Sequence, residues 1–324
     1  MKQIAARIAW SVGLILAVIV MCFSLVHLAP GDAALVIAGD SGAGDPELIE
    51  EIREDLGLDD SYLIQLSRYV GDVASGDLGT SYRFNESVTS LIGDRIWPTI
   101  LLVTTALLFA IVIGVLVGVF TARRPESPVS HGVTVFSLVG YSMPVFWTGY
   151  LLIITFASNV RWFPVAGMRD VRLEGNRLEE WLDIAHHLVL PALTLGLIYL
   201  AQYSRLSRAS MLEVLQSDYV RTARAKGLAE RKVVYKHALR NAVIPVITIA
   251  GLQFGALLSG ALLVETVFNW PGLGRLAADS VFQRDAPVLL GVLICSAALV
   301  VVINILTDVV YRMIDPRIRV GGST

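Results

Sequence analysis

Charged residues are absent from six long stretches of this 324-residue chain: 8–31, 96–122, 127–160, 184–204, 241–264 and 286–307. A helix needs roughly 20 apolar residues to cross the hydrocarbon layer of a bilayer, so each stretch is long enough for one span. The stretches are apolar on all sides, whereas a spanning strand would alternate apolar and polar positions over about 10 residues. The pattern predicts an all-α integral membrane protein with six transmembrane helices. Lys2 and Arg7 precede the first stretch and His27-Leu28-Ala29 loosely resembles a cleavage site, which is also how a signal peptide begins. Its 24 uncharged residues exceed an ordinary signal core, so an uncleaved helix is expected.

Between the first two stretches the pattern turns amphipathic. Asp45 can cap, Pro46 suits a first helical position, Leu48, Ile49, Ile52 and Leu56 make an apolar stripe, and Gly57 is a stop. From Ser61 to about Ala74, Leu63, Leu66, Val70 and Val73 recur at similar spacing. Together these predict a small external helical cap after helix 1. The chain then divides into residues 1–31 (N-terminus and first span), 32–95 (external helical segment), 96–312 (transmembrane core, with a cytoplasmic loop at 208–240) and 313–324 (C-terminal tail).

Composition agrees with the membrane reading: 55% hydrophobic residues, 17% charged and a mean hydropathy of +0.64. The net charge of −2 says little, but its partition is informative. Segment 29–96 holds 14 acidic and 4 basic residues, 158–186 holds 5 and 4, and 264–287 holds 3 and 2, whereas 203–241 holds 9 basic and 3 acidic. With Lys2, Arg7, Arg123, Arg124, Arg312, Arg317 and Arg319 in the other alternate segments, the positive-inside rule places both termini in the cytoplasm. Cys22 and Cys295 both fall within expected spans and read as small packing residues.

Gly114 and Gly118 form GxxxG, and Gly251, Gly255 and Ser259 extend small-residue spacing along the fifth span. Such spacing lets a second helix approach closely, either within this chain or from a partner. Intramembrane polar groups are Gln253, Asn304 and Asp308, the last at i,i+4 spacing from Arg312, which reads as a paired helix-end charge rather than a proton relay. Gln253 suits a helix–helix hydrogen bond or, less well, the lining of a pathway. His186 and His187 are adjacent and so point apart on a helix, which suits interfacial anchoring better than chelation, and no metal site is expected. HExxH, GxSxG and Cys-rich patterns are missing, and Asn85-Glu86-Ser87 fits only a short glycosylation pattern. Nothing matches GxxxxGK[ST], so no ATP hydrolysis is expected of this chain itself.

The densest positive charge lies in "DYVRTARAKGLAERKVVYKHALRNAVIP", Asp218 to Pro245. Leu212, Leu215, Tyr219 and Ala223 recur at helical spacing, with Arg221, Arg224 and Lys226 among the exposed positions. Gly227 permits the positive-φ turn that stops a helix, and a second basic helix follows. A knob of this kind could dock into a soluble partner, or its basic side chains could simply lie against anionic lipid.

The loop resembles the ATPase-docking loop of ABC importer permeases. Their Glu-Ala-Ala, three residues, Gly pattern falls on Arg221, Thr222, Ala223 and Gly227, matching at the second alanine and the glycine, while arginine replaces the glutamate. The wider form, "DYVRTARAKGL" followed by "HALRNAVIPV", is similar to the oligopeptide/dipeptide/nickel branch, as are "GDLGTSY" (76–82), "RIWPTILL" (95–102), "SMPVFWTGYLL" (142–152) and "ETVFNWPGLGRL" (265–276). The long segment after helix 1, with "DLGLDDSYLIQLSRYV", resembles the B-type permease subunit.

The resemblance implies a type I ABC importer permease fold in the plasma (inner) membrane of a prokaryote. It implies an ATPase-coupling loop at Tyr219, Arg221, Thr222, Ala223, Arg224, Ala225, Lys226 and Gly227, and a translocation-path or partner-permease face at Gly251, Gln253, Gly255 and Ser259. Asn269, Trp270, Pro271 and Gly272 would belong to an external receptor-facing loop. The implied partners are a homologous C-type permease, one or two cytoplasmic P-loop ATPase subunits, an extracellular substrate-binding protein, the peptide substrate and the lipid membrane, with no nucleic acid. This chain would hold no cofactor, ATP and Mg being used by the ATPase subunits. The implied activity is ATP-driven import of short peptides without catalysis by this chain. Within the family the alternative cargo is a nickel chelate or a glutathione-like molecule. From another class, an ion-coupled secondary transporter would call for midplane ionisable residues and inverted repeats, neither of which is apparent.

Overall fold

The structure is a computed structural model and describes residues 2–28, 50, 53, 59–81, 83–172 and 175–314. But for Glu50 and Arg53, the expected Asp45–Gly57 helix lies outside the described residues, as does the tail beyond Ile314. The side chains of Asp308 and Arg312, expected to pair, also lie outside them. The chain divides into two compact units, Met1–Trp97 with Gly272–Val301, and Pro98–Pro271 with Val302–Thr324.

In the first unit, helix α1 (Lys2–Leu28) packs on helix α2 (Tyr62–Ser75). The Ser24 hydroxyl lies 2.6 Å from the Tyr62 phenol, and the Phe23 ring sits 5.5 Å from Tyr62 and 5.4 Å from Tyr69. Burial pushes the Tyr69 phenol up to about 12. The expected second amphipathic stretch is therefore a helix, but aromatic residues set its contact with α1, and Leu63 is 73% exposed. Gly76, at φ 88°, ends α2 in the left-handed region, where a Cβ would be strained.

A two-residue hairpin follows, β1 (Thr80–Ser81) against β2 (Glu86–Ser87), antiparallel with Thr80 opposite Ser87. Helix α3 (Val88–Arg123) starts directly after it. In this unit Val88, Leu91 and Ile92 form a core with Leu273, Leu276, Ala277, Val288 and Val292. Buried Ser81 accepts a hydrogen bond from the Phe84 N–H and donates its own hydroxyl to Asp285, whose second carboxylate oxygen accepts from the Val288 N–H. One motif residue thus joins the hairpin to the start of the last helix.

In the second unit the expected third span, 127–160, is two helices, α4 (Pro128–Ser142) and α5 (Val145–Leu152), the second running on as a π-helical segment Ile153–Asn159. Pro144 is the cause. Its ring disfavours helical geometry in the preceding residue, and Met143 is extended at φ −80°, ψ 134°. Helix α6 (Arg177–Leu215) opens on a capping box in which the Asn176 side chain accepts from the Leu178 and Glu179 N–H groups while Glu179 reaches back to the Asn176 N–H.

The basic loop and the expected fifth span comprise α7 (Asp218–Ala225), the single turn α8 (Glu230–Lys232), a π-helical segment Val233–Ala238, α9 (Leu239–Ala242) and α10 (Ile244–Val267). In the first unit, α11 (Leu273–Gln283) precedes the last helix, α12 (Ala286–Ile314), which belongs to the first unit as far as Val301 and to the second beyond it.

Among the described residues three helices are by themselves long and apolar enough to cross a membrane, at Val88–Arg123, Arg177–Leu215 and Ala286–Thr307. The bent pair Glu230–Gly251 and Gln253–Val267 would make a fourth, and the two other expected spans appear as the shorter apolar helices Ala9–Leu25 and Val145–Asn159.

The GxxxG spacing packs inside the chain. A Cβ on Gly118 would lie 2.6 Å from the Ser207 Cβ and 2.7 Å from the Ser204 carbonyl oxygen, and one on Gly114 would lie 2.8 Å from the Tyr203 Cβ. Small residues on both helices let α3 and α6 approach backbone to backbone, and Ser207 donates to the Val115 carbonyl at this crossing.

Candidate functional site

The basic loop is a built knob. On α7, Val220 is fully buried and Ala223 nearly so, while Tyr219, Arg221, Thr222, Arg224, Ala225, Lys226 and Gly227 are exposed. The two buried side chains join Val233, Val234, Ala238 and Ala242, all at 0% exposure, in a core shared with Val115 and Val119 of α3 and Met211 of α6. The knob is therefore seated on the bundle by its apolar face and presents its cations outward.

Gly227 sits at φ 74°, and its N–H donates to the Arg224 carbonyl at 2.9 Å. A Cβ placed there would meet nothing within 4 Å, so the turn conformation, and no close neighbour, selects glycine.

Two clasps hold the turn. Across it, the Arg224 Nε and Nη2 donate to the two carboxylate oxygens of Glu230 at 3.2 and 2.8 Å, and Nη1 reaches the Leu215 carbonyl at 3.4 Å. The side-chain hydrogen bond to Arg224 holds the Glu230 carboxyl below its usual range and raises the guanidinium in turn. Further along, Asn241 donates to the Tyr219 phenol oxygen at 2.8 Å, tying α7 to α9. Arg208, on the same stretch of α6, donates to Thr134 at 3.1 Å and to the Pro125 carbonyl at 3.4 Å, fixing α6 against the connection between α3 and α4.

The residues expected along the path do not share one environment. Gly251 is half-buried, and a side chain there would run into Thr307 of the last helix. Gln253 donates from Nε2 to the Gln202 Oε1 at 3.0 Å, a hydrogen bond between α10 and α6 in line with the helix–helix use expected of it. Gly255 is half-buried and Ser259 is exposed, on the same side of α10 as exposed Ala256 and Leu263.

Of the four residues in the expected external loop, Asn269 is exposed at φ 53° and Trp270 is completely buried, its indole N–H donating to the Pro98 carbonyl at 2.9 Å. Pro271 is half-buried and Gly272 buried, so the tryptophan anchors the loop from inside. His186 donates from Nε2 to the Trp162 carbonyl at 2.7 Å, and His187 from Nδ1 to the Asp183 carbonyl at 2.9 Å, each a local anchor. Among the described residues no group of three His, Cys, Asp or Glu side chains is placed to hold a metal ion.

Three residues that sequence reasoning passed over are structurally prominent. Glu265, read as an external charge ending the fifth uncharged stretch, is at 0% exposure and accepts the Thr99 hydroxyl at 2.7 Å. Glu230 braces the glycine turn, and Asp285 caps the last helix. The signal for Glu230 was present as an acid in a strongly basic loop, while Glu265 depends on a contact 166 residues away.

A family model for the binding-protein-dependent transport system inner membrane component matches residues 114–320, and one for the N-terminal part of such components matches residues 1–104. The chain is 42% identical over 330 residues to the di/tripeptide transport system permease protein DppB of Pseudomonas aeruginosa, with 98% of both chains covered. It is 39% identical over 321 residues to the oligopeptide transport system permease protein AppB of Bacillus subtilis, again with 98% of each covered. Against the dipeptide transport system permease protein DppB of Escherichia coli it is 38% identical, covering 98% of this chain and 99% of that one.

Among solved structures, a chain of the MetNI methionine ABC transporter in an inward-facing conformation matches with a TM-score of 0.55 at 19% identity, over 69% of this chain and 96% of that one, which supports the fold alone. By the family match and these full-length relatives, the chain belongs to the binding-protein-dependent transport system inner membrane components, the permeases of ABC importers.

Proposed function

We propose that this chain is the B-type permease subunit of an ATP-driven importer of short peptides in a prokaryotic plasma membrane. Relatives named for dipeptide and oligopeptide transport match it from end to end. The observation that carries the mechanism is the knob at 218–242, seated by buried Val220, Ala223, Val233 and Val234 and presenting Arg221, Lys226 and Gly227 to solvent.

In this reading six spans place both termini in the cytoplasm, with residues 32–95 as an external cap. Tyr219 and Arg221 to Gly227 meet a cytoplasmic ATPase subunit, one or two of which supply ATP and Mg chemistry that this chain does not perform. A homologous C-type permease completes the path, faced by Gly251, Gln253, Gly255 and Ser259, and an extracellular binding protein delivers peptide to the side carrying Asn269 to Gly272. A knob that shares its core with α3 and α6 moves with them, so ATPase closure is passed on as rigid-body tilting of packed helices.

Affinity purification from the native membrane with mass spectrometry tests this. A second permease and P-loop ATPases should accompany the chain. Recovery of the chain alone, in detergent that preserves a known ABC complex, would overturn the proposal.

A further inference from the structure

Arg224 lies on the exposed face of the knob, where a basic side chain reads as a contact for an acidic partner surface, yet all three of its donor groups are directed to atoms of its own loop. Two donate to Glu230, six residues on and beyond the Gly227 corner, and the third to the Leu215 carbonyl, nine residues back in the last turn of α6. The guanidinium thus touches the strand of chain entering the knob, sits on the knob's first helix, and holds the start of its second. Only a planar, forked cation can serve a carboxylate side-on and still have a donor left for a carbonyl behind it.

The pair is not there for stability. Arg224 and Glu230 side chains are 42% and 51% exposed, and ion pairs so open to water contribute little to folding. What the pair does fix is an angle. The chain reverses at Gly227 on one left-handed residue, held by backbone bonds from the Gly227 N–H to the Arg224 carbonyl and from the Leu228 N–H to the Ala223 carbonyl and by half-buried Leu228 on the core. No atom lies within 4 Å of the Gly227 Cβ position, so no side-chain packing at the glycine itself opposes hinging. Behind the corner Val220 and Ala223 are buried, and ahead of it Val233 and Val234; between them only Leu228 is half-buried on the core, while Lys226, Gly227, Ala229, Glu230, Arg231 and Lys232 are exposed. The Arg224–Glu230 bridge spans this exposed stretch.

We propose that Arg224, Glu230 and the Leu215 carbonyl form a strut that keeps the Gly227 corner from flexing, so that force applied to the tip of the knob is delivered to α6 instead of being absorbed in the turn. Arg224 and Glu230 are positioning residues, and Glu230 needs no contact with any partner to fulfil this role. The inference rests on the importer reading above, because only a loop that is pushed by a partner needs a stiff corner.

The test uses the whole complex, this permease with its copurifying permease and ATPase subunits, reconstituted in proteoliposomes with its binding protein and a dipeptide as probe. Two quantities are read: ATPase subunit retained per permease, and dipeptide moved per ATP hydrolysed. Glu230→Ala should retain the ATPase yet lower the transport-to-hydrolysis ratio about threefold or more, and Glu230→Arg, which sets two cations against each other, should lower it further. The reversed pair, Arg224→Glu with Glu230→Arg, should recover part of the ratio lost in Glu230→Arg alone. Arg224→Lys, which keeps the charge but not the fork, should lower the dipeptide moved per ATP hydrolysed about as far as Glu230→Ala does.

An unchanged ratio in both Glu230 variants would overturn the strut, as would a reversed pair no better than Glu230→Arg. If Glu230→Ala loses the ATPase altogether, the residue is a docking contact and the strut is again overturned. Failure of the wild-type chain to retain any ATPase, or to move dipeptide when it does, would instead count against the importer reading.

Discussion

The indole N–H of Trp270 donates to the carbonyl of Pro98, 172 residues earlier in the chain, and no part of the tryptophan reaches solvent. Trp270 follows α10 in a short loop and Pro98 lies inside α3, so one side chain fixes the exit of α10 against α3. Its backbone N–H donates to the Glu265 carbonyl at 2.8 Å, and the Glu265 carboxylate accepts from Thr99, the residue after Pro98. The loop is held by two neighbouring positions of α3.

Trp270→Phe should therefore be milder than Trp270→Ala. The first removes one buried hydrogen bond, about 1 kcal/mol, and leaves the Pro98 carbonyl to its helical partner. The second empties a site filled by the largest side chain in the core and should cost about 3–5 kcal/mol. Thermal unfolding of the detergent-solubilised chain, followed by tryptophan-independent circular dichroism, should rank wild type above Phe above Ala. Equal midpoints for all three would contradict the anchoring role.

The α3–α6 crossing makes a sharper contrast between glycines. Gly118→Ala puts a methyl 2.7 Å from the Ser204 carbonyl oxygen, a backbone atom that cannot swing aside, so the two helices must separate. Gly132, in α4, has nothing within 4 Å of a Cβ position and no positive φ, so Gly132→Ala should be neutral or stabilising by a few tenths to about 1 kcal/mol. Yields of folded protein on size-exclusion chromatography should fall for the first and hold for the second.

Asp285 serves two elements at once, accepting from the Ser81 hydroxyl of the hairpin and capping α12 through the Val288 N–H. Asp285→Ala removes the cap, worth about 1 kcal/mol, and strands the buried Ser81 hydroxyl, costing about 1–3 kcal/mol more. Asp285→Asn keeps a capping oxygen but presents an amide donor where the Ser81 hydroxyl donated, so it should recover only the cap's share, about 1 kcal/mol. Ser81→Ala together with Asp285→Ala should be less damaging than the sum of the two, as a shared hydrogen bond requires, and a thermal-shift double-mutant cycle reads this directly.

How far these features could be foreseen depends on the range of the interaction behind them. The glycine turn at Gly227 and the break at Pro144 are dictated by backbone sterics of one or two residues, though the expected unbroken third span ignored the second of these. The helical stretch at Tyr62–Ser75 followed from periodicity, while its contact face did not, because Tyr62 and Tyr69 outweigh Leu63 only once α1 supplies Phe23 as a partner. GxxxG at Gly114 and Gly118 announced a close approach without naming the helix, since the complement, Ser204 and Ser207, is itself just another pair of small residues. Arg224 reads as a partner contact because its acid is six residues off, outside helical i,i+4 pairing and visible only when the corner folds. Glu265 reads as a solvent charge because its burial comes from a threonine on a distant helix.

The corner itself allows steric fit and conformational strain to be separated. At φ 74° every L-residue pays for the left-handed region, about 1–2 kcal/mol for most side chains, asparagine being better tolerated. With open space around the Cβ position, size should matter less than backbone preference, except that β-branching restricts the residue most. Gly227→Asn should therefore keep most ATPase association and transport, Gly227→Ala should lose part, and Gly227→Val should lose most of both, while all three insert in the membrane as the wild type does. The order Asn, Ala, Val, read from ATPase copurification and dipeptide uptake, is what a backbone requirement gives. A loss that follows side-chain volume, with Ala better than Asn, would instead mean that a partner surface presses closely on this corner, and the glycine would then be selected by contact and not by its turn.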